Sequence, residues 1–198
     1  MDAGVIVVDM QKDFMVKDFK DRESAARVEK ELVPKINRLL SEARAAKMPV
    51  IWIKTVFKSD RSDWNLRMKD LDFPVAIEGT PEADILDGLC VSKDDYVVIK
   101  KRYSAFLNTD LEELLKKLSL KALIICGIQT HACVRMTAID AFMRDYRIFI
   151  PRDCTGDYDE AAHEASLEYF SKRIAKVLSL DELIDRIHTR DLEFKFEK

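Results

Sequence analysis

A mainly parallel α/β sheet, doubly wound and covered by helices on both faces, is the fold this chain predicts, and two features of its sequence predict it. Short, almost uninterrupted apolar runs such as Val5–Val8, Val50–Ile53 and Ala122–Cys126 recur along it. A strand with one wet face alternates apolar and polar residues, so runs of this kind belong to strands buried on both sides. Between them lie amphipathic helical patterns. Parallel neighbours need that alternation, because each connection must cross back over the sheet. There is no internal repeat or domain boundary, so residues 1–198 read as one domain, with 189–198 set apart as a C-terminal tail.

Each element has its own reason. Gly4–Asp9 reads as a first buried strand that ends in a carboxylate. After a charged connection, Met10–Arg22, a long helix is expected over Ser24–Lys47. Val28, Leu32, Ile36, Leu39 and Leu40 share its apolar face, and Pro34 predicts a kink or a split into two helices. Val50–Lys54 is the second strand. Thr55–Thr80 has no clean period; its length, with Phe57, Trp64 and Phe73, predicts a substrate-covering loop. A short helix is expected over Pro81–Leu89, a third strand over Tyr96–Ile99, and a helix over Thr109–Leu118 with Thr109 and Glu112 as a capping box. Ala122–Cys126, Arg147–Ile150 and Ile174–Leu178 bring the strands to six, the turn Pro151–Tyr158 follows the fifth, and helices are expected over Glu160–Ser171 and Asp181–Ile187. In the tail Leu192, Phe194 and Phe196 alternate, which suits an added edge strand, a subunit contact or a disordered end.

Composition excludes several classes of function. With 47% hydrophobic and 35% charged residues and a net charge of −3, the chain offers no field for nucleic acid or a membrane surface. No apolar run approaches the roughly 20 residues of a membrane span, and no signal peptide is evident, so a cytoplasmic location is expected. Cysteines 90, 126, 133 and 154 show neither CxxC nor metal-finger spacing, which suits a reduced compartment. Cys90, Cys126 and Cys154 read as packing residues.

The chemistry gathers around Lys121–Tyr146. Here an apolar strand is interrupted by Gly127 and Thr130, and a helical pattern follows in which Val134, Ala138, Ala141 and Phe142 share a face. Cys133 therefore falls in the first turn of a helix, just beyond the carboxyl end of a central strand. Unpaired N–H groups and the helix dipole stabilise a thiolate there, or an oxyanion formed by its attack on a carbonyl. Asp9 and either Lys100 or Lys101 also stand at carboxyl ends of strands, the edge where doubly wound sheets bind ligands. A carboxylate, an ammonium and a thiol make a complete set. The ammonium lowers the thiol pKa, and the carboxylate takes the thiol proton and returns it to a leaving amine. Asp9 works against this, since a neighbouring carboxylate raises a thiol's pKa, but the lysine and the helix start are expected to prevail and to hold the Cys133 thiol about one unit or more below the free value of about 8.5. Phe14, Trp64, Tyr103 and Gln129 are the expected substrate-lining residues, and His131 stands near the nucleophile.

Four stretches, VIVVDMQKDF at 5–14, EGTPEADI at 78–85, VIKKRYSAFLNTDL at 98–111 and CGIQTHACVRMTAIDAF at 126–142, carry a resemblance. In their order and spread the chain resembles the isochorismatase-like cysteine hydrolase family, which includes nicotinamidases and N-carbamoylsarcosine amidases. The resemblance implies one three-layer α/β/α domain with a six-stranded, mainly parallel sheet, commonly a homo-oligomer. It also implies an Asp9–Lys100–Cys133 triad. Lys100 is preferred to Lys101 because the family's lysine stands three places before the Tyr103–Phe106 run. A cis peptide is implied at Ile128–Gln129, turning the Gln129 N–H toward an oxyanion beside the N–H of Cys133.

One departure bears on metal. Metal-dependent nicotinamidases resemble one another in an Asp-x-His pair and a further histidine after the second strand, yet Thr55–Thr80 contains no histidine. His163 and His188 read as solvated helix residues. The expectation is a metal-independent amidohydrolase without cofactor, acting on a small amide, carbamoyl or ureido compound with Cys133 as nucleophile, Asp9 as proton shuttle and Lys100 holding the charges. The alternatives are a vinyl ether hydrolase of the isochorismatase type, a nicotinamidase, or an idle scaffold of the same fold.

Overall fold

Continuous apolar runs produce the strands, and the strands place everything else. The structure is a computed structural model describing residues 2–16 and 22–196, so part of the Met10–Arg22 connection lies outside the described residues. One sheet is formed by β1 (Ala3–Val8), β2 (Val50–Thr55), β3 (Tyr96–Lys100), β4 (Ala122–Ile128), β5 (Arg147–Pro151), β6 (Thr155–Gly156) and β7 (Lys176–Leu178). Its path is β3-β2-β1-β4-β5-β7, with the short β6 beside the end of β4, and every pairing is parallel. The six expected strands are present; β6 arises within the expected turn Pro151–Tyr158. The helices are α1 (Asp13–Val16), α2 (Arg22–Ala45), α3 (Leu66–Leu71), α4 (Leu111–Lys117), α5 (Arg135–Phe142), α6 (Glu160–Arg173) and α7 (Leu180–Thr189).

Strand alternation divides the core into two layers. Val5 and Val7 pack with α2 and α7, while Ile6 and Val8 pack with residues of α4, α5 and α6. This makes the three-layer α/β/α arrangement. Among the described residues no helix is long and apolar enough to cross a membrane.

Gly127 shows how tightly the central strands meet. Its φ is +105°, and a Cβ there would lie 2.2 Å from the Val8 carbonyl oxygen. Only glycine lets the end of β4 pass that close to β1. Gly127→Ala is therefore expected to cost about 3 kcal/mol or more, from a forbidden φ plus a backbone clash. Urea titration checks this; a midpoint equal to the wild type would show that the strand ends part freely.

Four local expectations are corrected. α2 contains Pro34 within one helix and does not split. Pro81–Leu89 is not a helix beyond a single 3-10 turn, Pro81–Ala83. Ile85 instead bridges Gln11, and the Leu86 N–H donates to the Met10 carbonyl at 3.0 Å, so this segment's backbone bonds go to the chain after β1. α4 lacks the expected box: Glu112 turns to Lys116 at 2.6 Å and Arg144 at 2.8 Å, which lower its pKa to about 2. The capping box occurs instead at Ser179 and Glu182 of α7. The tail is neither strand nor free end over residues 191–196: Leu192 is buried, and Phe194 meets Phe149 edge-on at 5.3 Å.

The Thr55–Thr80 segment is folded over the carboxyl edge of the sheet. It carries α3, whose N-cap Asn65 accepts the Met68 N–H at 3.0 Å, and a small core that includes Phe57, Trp64, Met68 and Val75. Asp13 of α1 accepts the Ala76 N–H at 2.6 Å, which ties the segment to the chain after β1.

Candidate active site

Four neighbouring strands deliver their last residues, or the residues just beyond, to one place. Asp9 follows β1 with φ +51°, a left-handed conformation uncommon outside glycine and often found at functional sites. Its N–H donates to the Ile53 carbonyl at 3.0 Å. Thr55 ends β2, Lys100 ends β3 opposite it, and Cys133 lies just past β4. The long lysine side chain passes the end of β2 to reach the centre of the sheet. Lys100 Nζ lies 2.6 Å from Asp9 Oδ2, donates to Thr55 Oγ1 at 2.7 Å, and reaches Cys133 Sγ at 3.3 Å. Thr55 Oγ1 in turn donates to Asp9 Oδ1 at 2.9 Å. Asp9 and Lys100 are 2% and 1% exposed. Lys101, the other candidate lysine, pairs instead with Asp63 at 2.8 Å.

Thr55 and Gln11 were not singled out from the sequence as site residues. Gln11 is fully buried and uses its whole amide: Nε2 donates to the Thr55 and Ala83 carbonyls at 2.8 and 2.7 Å, and Oε1 accepts the Thr55 N–H at 2.8 Å. It fixes the threonine that joins Asp9 to Lys100. A polar residue closing the run Val50–Thr55 was the signal available for Thr55; for Gln11 it was a place two residues past Asp9, within the 5–14 stretch that carries the resemblance.

Cys133 sits on a wide π turn, Thr130–Val134, that precedes α5, rather than in a first α-helical turn. The Gln129 carbonyl accepts both the Ala132 and the Val134 N–H at 3.1 Å, and the second of these spans five residues. The thiol does not carry the lowered pKa expected of it. Burial pushes it up and Asp9 pushes it further, and the pull of Lys100 does not offset them, so the thiol lies well above its ordinary range. Burial also works against the charge on Lys100, but Asp9 and then Cys133 outweigh it and raise the lysine's pKa. These shifts favour a charged Lys100 and a protonated Cys133 thiol at rest, side by side with Asp9.

These groups open onto a cavity of about 710 Å³ that Phe14, Tyr103 and Gln129 also line. Trp64 does not line it. Its indole is 3% exposed inside the small loop core and donates to the Lys58 carbonyl at 3.0 Å, the acceptor a buried indole needs. His131 does line the cavity, with Nδ1 2.6 Å from Asp157 Oδ2. Tyr158, also on the wall, donates its hydroxyl to the Phe14 carbonyl. His163 is not merely solvated, since its Nδ1 lies 2.9 Å from Thr130 Oγ1 behind the π turn. His188 is exposed beside Glu42. Cys126 and Cys154 are buried as expected, whereas Cys90 is exposed and is no packing residue.

This geometry can be set beside known proteins. The profile of the Isochorismatase domain matches residues 3–182. The chain belongs to the isochorismatase family of hydrolases. This isochorismatase-family chain is 30% identical over 186 residues to the uncharacterized isochorismatase family protein YaaI of Bacillus subtilis, covering 93% of the chain and 98% of YaaI. It is 28% identical over 183 residues to nicotinamidase 3 of Arabidopsis thaliana, covering 91% and 86%. Among solved structures, a cysteine hydrolase from Pseudomonas syringae pv. phaseolicola superposes with a TM-score of 0.84 at 29% identity, over 95% of this chain and 93% of that one.

In this isochorismatase-family hydrolase the Ile128–Gln129 peptide is cis, at the position the sequence resemblance implies. Its residues do not fit the metal of metal-dependent nicotinamidases. Thr55–Thr80 supplies no histidine, its Asp63 is tied to Lys101, and among the described residues no three His, Cys, Asp or Glu side chains are grouped to hold an ion.

Proposed function

We propose that this hydrolase cleaves a carbon–nitrogen bond of a small amide, carbamoyl or ureido compound through a covalent intermediate on Cys133, without a metal. The observation that carries this reading is the single ammonium of Lys100, within 2.6 Å of the Asp9 carboxylate and 3.3 Å of the Cys133 sulfur, at a cavity of about 710 Å³. That volume suits a small molecule.

Asp9 takes the thiol proton as the sulfur adds to the substrate carbonyl, and Lys100 holds the charge of both groups. A thiol with a raised pKa suits this, because the proton moves only when a carbonyl is there to accept the sulfur. The N–H groups of Gln129 and Cys133 are assigned to the oxyanion. Asp9 returns the proton to the leaving nitrogen, ammonia departs, and a thioester-type acyl-enzyme remains. Asp9 then deprotonates a water that attacks the acyl carbon, expelling the thiolate, which is reprotonated. Phe14, Tyr103 and Gln129 hold the substrate.

Ammonia release from a panel of primary amides, ureas and carbamoyl amino acids tests the proposal, run before and after exhaustive chelation. Turnover of at least one panel member, unchanged by chelation, is the expected result. Activity lost on chelation and restored by zinc would overturn the metal-free reading. Silence toward every panel member alongside turnover of a vinyl ether such as isochorismate would overturn the C–N reading.

A further inference from the structure

A histidine–carboxylate pair on the cavity wall has no part in the steps assigned above. His131 stands on the π turn two residues before Cys133, and its side chain is 44% exposed. Nδ1 lies 2.6 Å from Asp157 Oδ2, and the same oxygen accepts the His131 N–H at 3.0 Å. Asp157 Oδ1 accepts the N–H groups of Tyr158 at 2.9 Å and Asp159 at 3.3 Å. The Asp157 side chain is thus buried, 1% exposed, and held from the backbone on both oxygens. A carboxylate only accepts, so the proton of a neutral imidazole belongs on Nδ1, and Nε2 presents a lone pair. Nε2 has no partner among the described residues. The wall therefore carries an acceptor whose tautomer and direction are fixed from behind.

Sheet order decides which part of a substrate meets it. β4 leads into the turn that bears Cys133, with β1 on one side and β6 on the other. Asp9 and Lys100 reach the sulfur from the β1 side, whereas Asp157 directly follows β6. A carbonyl carbon attacked by Cys133 bears three other groups. Its oxygen turns to the N–H groups of Gln129 and Cys133, and its leaving nitrogen turns to Asp9. The third group is left the side of His131. Other polar groups on the wall suit an N–H poorly. Arg67, Lys101 and Arg102 line the cavity and can only donate. Asn65 Oδ1 and Asp159 Oδ1 already accept the N–H groups of Met68 and Ala162, at 3.0 and 3.1 Å, as helix caps.

We propose that His131 Nε2 accepts the second N–H of a ureido or carbamoyl substrate, the one retained when ammonia leaves, and that Asp157 is the positioning residue that fixes its tautomer and aim. The inference rests on the carbon–nitrogen reading above and narrows its substrate class to compounds R–NH–CO–NH2. In a simple amide a methylene takes the place of that N–H. It would cover the imidazole nitrogen without bonding it, which is how a site built for a hydrogen bond rejects the analogue that lacks one.

Matched pairs test this. kcat/KM is compared for N-carbamoylglycine and succinamate, which differ only in that N–H, and for the best ureido substrate of the panel and its own methylene analogue. The wild type should favour the ureido member by about tenfold or more. In His131→Phe that ratio should fall about tenfold, and in Asp157→Asn about threefold or more. Because each ratio compares two substrates on one protein, partial loss of folded enzyme cancels from it, and circular dichroism records that loss separately. A wild-type ratio in His131→Phe, or a wild type that prefers the amides, overturns the assignment and leaves the carbon–nitrogen reading intact. A wild-type ratio in Asp157→Asn overturns the positioning role. Silence of the wild type toward every amide and ureido compound overturns that reading, and this assignment with it.

Discussion

Cys133→Ser is expected to lower ammonia release by on the order of 10³-fold or more while leaving the thermal midpoint within about 2 °C of the wild type. The substitution is nearly isosteric, and the side chain is only partly buried at the cavity wall, so packing changes little. The chemistry changes far more. Burial and Asp9 already hold the thiol well above its ordinary range, and a hydroxyl in the same place is harder still to deprotonate. Lys100, at 3.3 Å, lacks the pull to generate an alkoxide. Initial rates on the best substrate of the panel, with circular dichroism as a folding control, make the comparison. If Cys133→Ser keeps near-full turnover while loss of Asp9 is fatal, the thiol mechanism fails and acid-catalysed ether hydrolysis takes its place.

Asp9→Asn should be equally inactive, yet its thiol should react faster with iodoacetamide than that of the wild type. The sign follows from the neighbours. In the wild type the Cys133 pKa is raised by burial and by Asp9 and lowered by Lys100, so the alkylation rate should climb about tenfold per pH unit through pH 9 with no plateau. Replacing the carboxylate with an amide removes one raising cause and leaves the sulfur as the one anionic partner of Lys100, which is 2.6 Å from Asp9 in the wild type. The thiol pKa falls, and at pH 7.5 alkylation should be faster by about tenfold or more. Removing one partner of a buried ion pair costs about 3–5 kcal/mol, so the variant is compared below its own unfolding transition. Slower alkylation in Asp9→Asn would mean that the carboxylate activates the resting thiol, and the account of proton movement given above would have to be abandoned.

Much of this protein is legible along the chain. Val5–Val8, Val50–Ile53 and Ala122–Cys126 announce doubly buried strands because burial on both faces is written in consecutive residues, and consecutive residues are what a sequence presents. Asp9, Lys100 and Cys133 are legible for a related reason: each is a reactive side chain at or just past the end of such a run, where a parallel sheet gathers its ligands. The resemblance supplied the choice of Lys100 over Lys101 and the place of the cis peptide.

What the chain order hides is whatever depends on which strands become neighbours. Thr55 joins Asp9 to Lys100 because β2 lies between β1 and β3, and Gln11 matters because it grips Thr55 from 44 residues away. Trp64 has the look of a pocket residue, but its N–H is satisfied only inside the loop core, by a carbonyl whose position the folded loop sets. The same limit explains the thiol. From the sequence, a helix start and a nearby lysine are expected to outweigh Asp9 and favour a thiolate; in the folded protein, burial joins Asp9 and the balance reverses. A pKa is a sum over every charge and every loss of water around a group, and those neighbours are assembled only when distant segments pack.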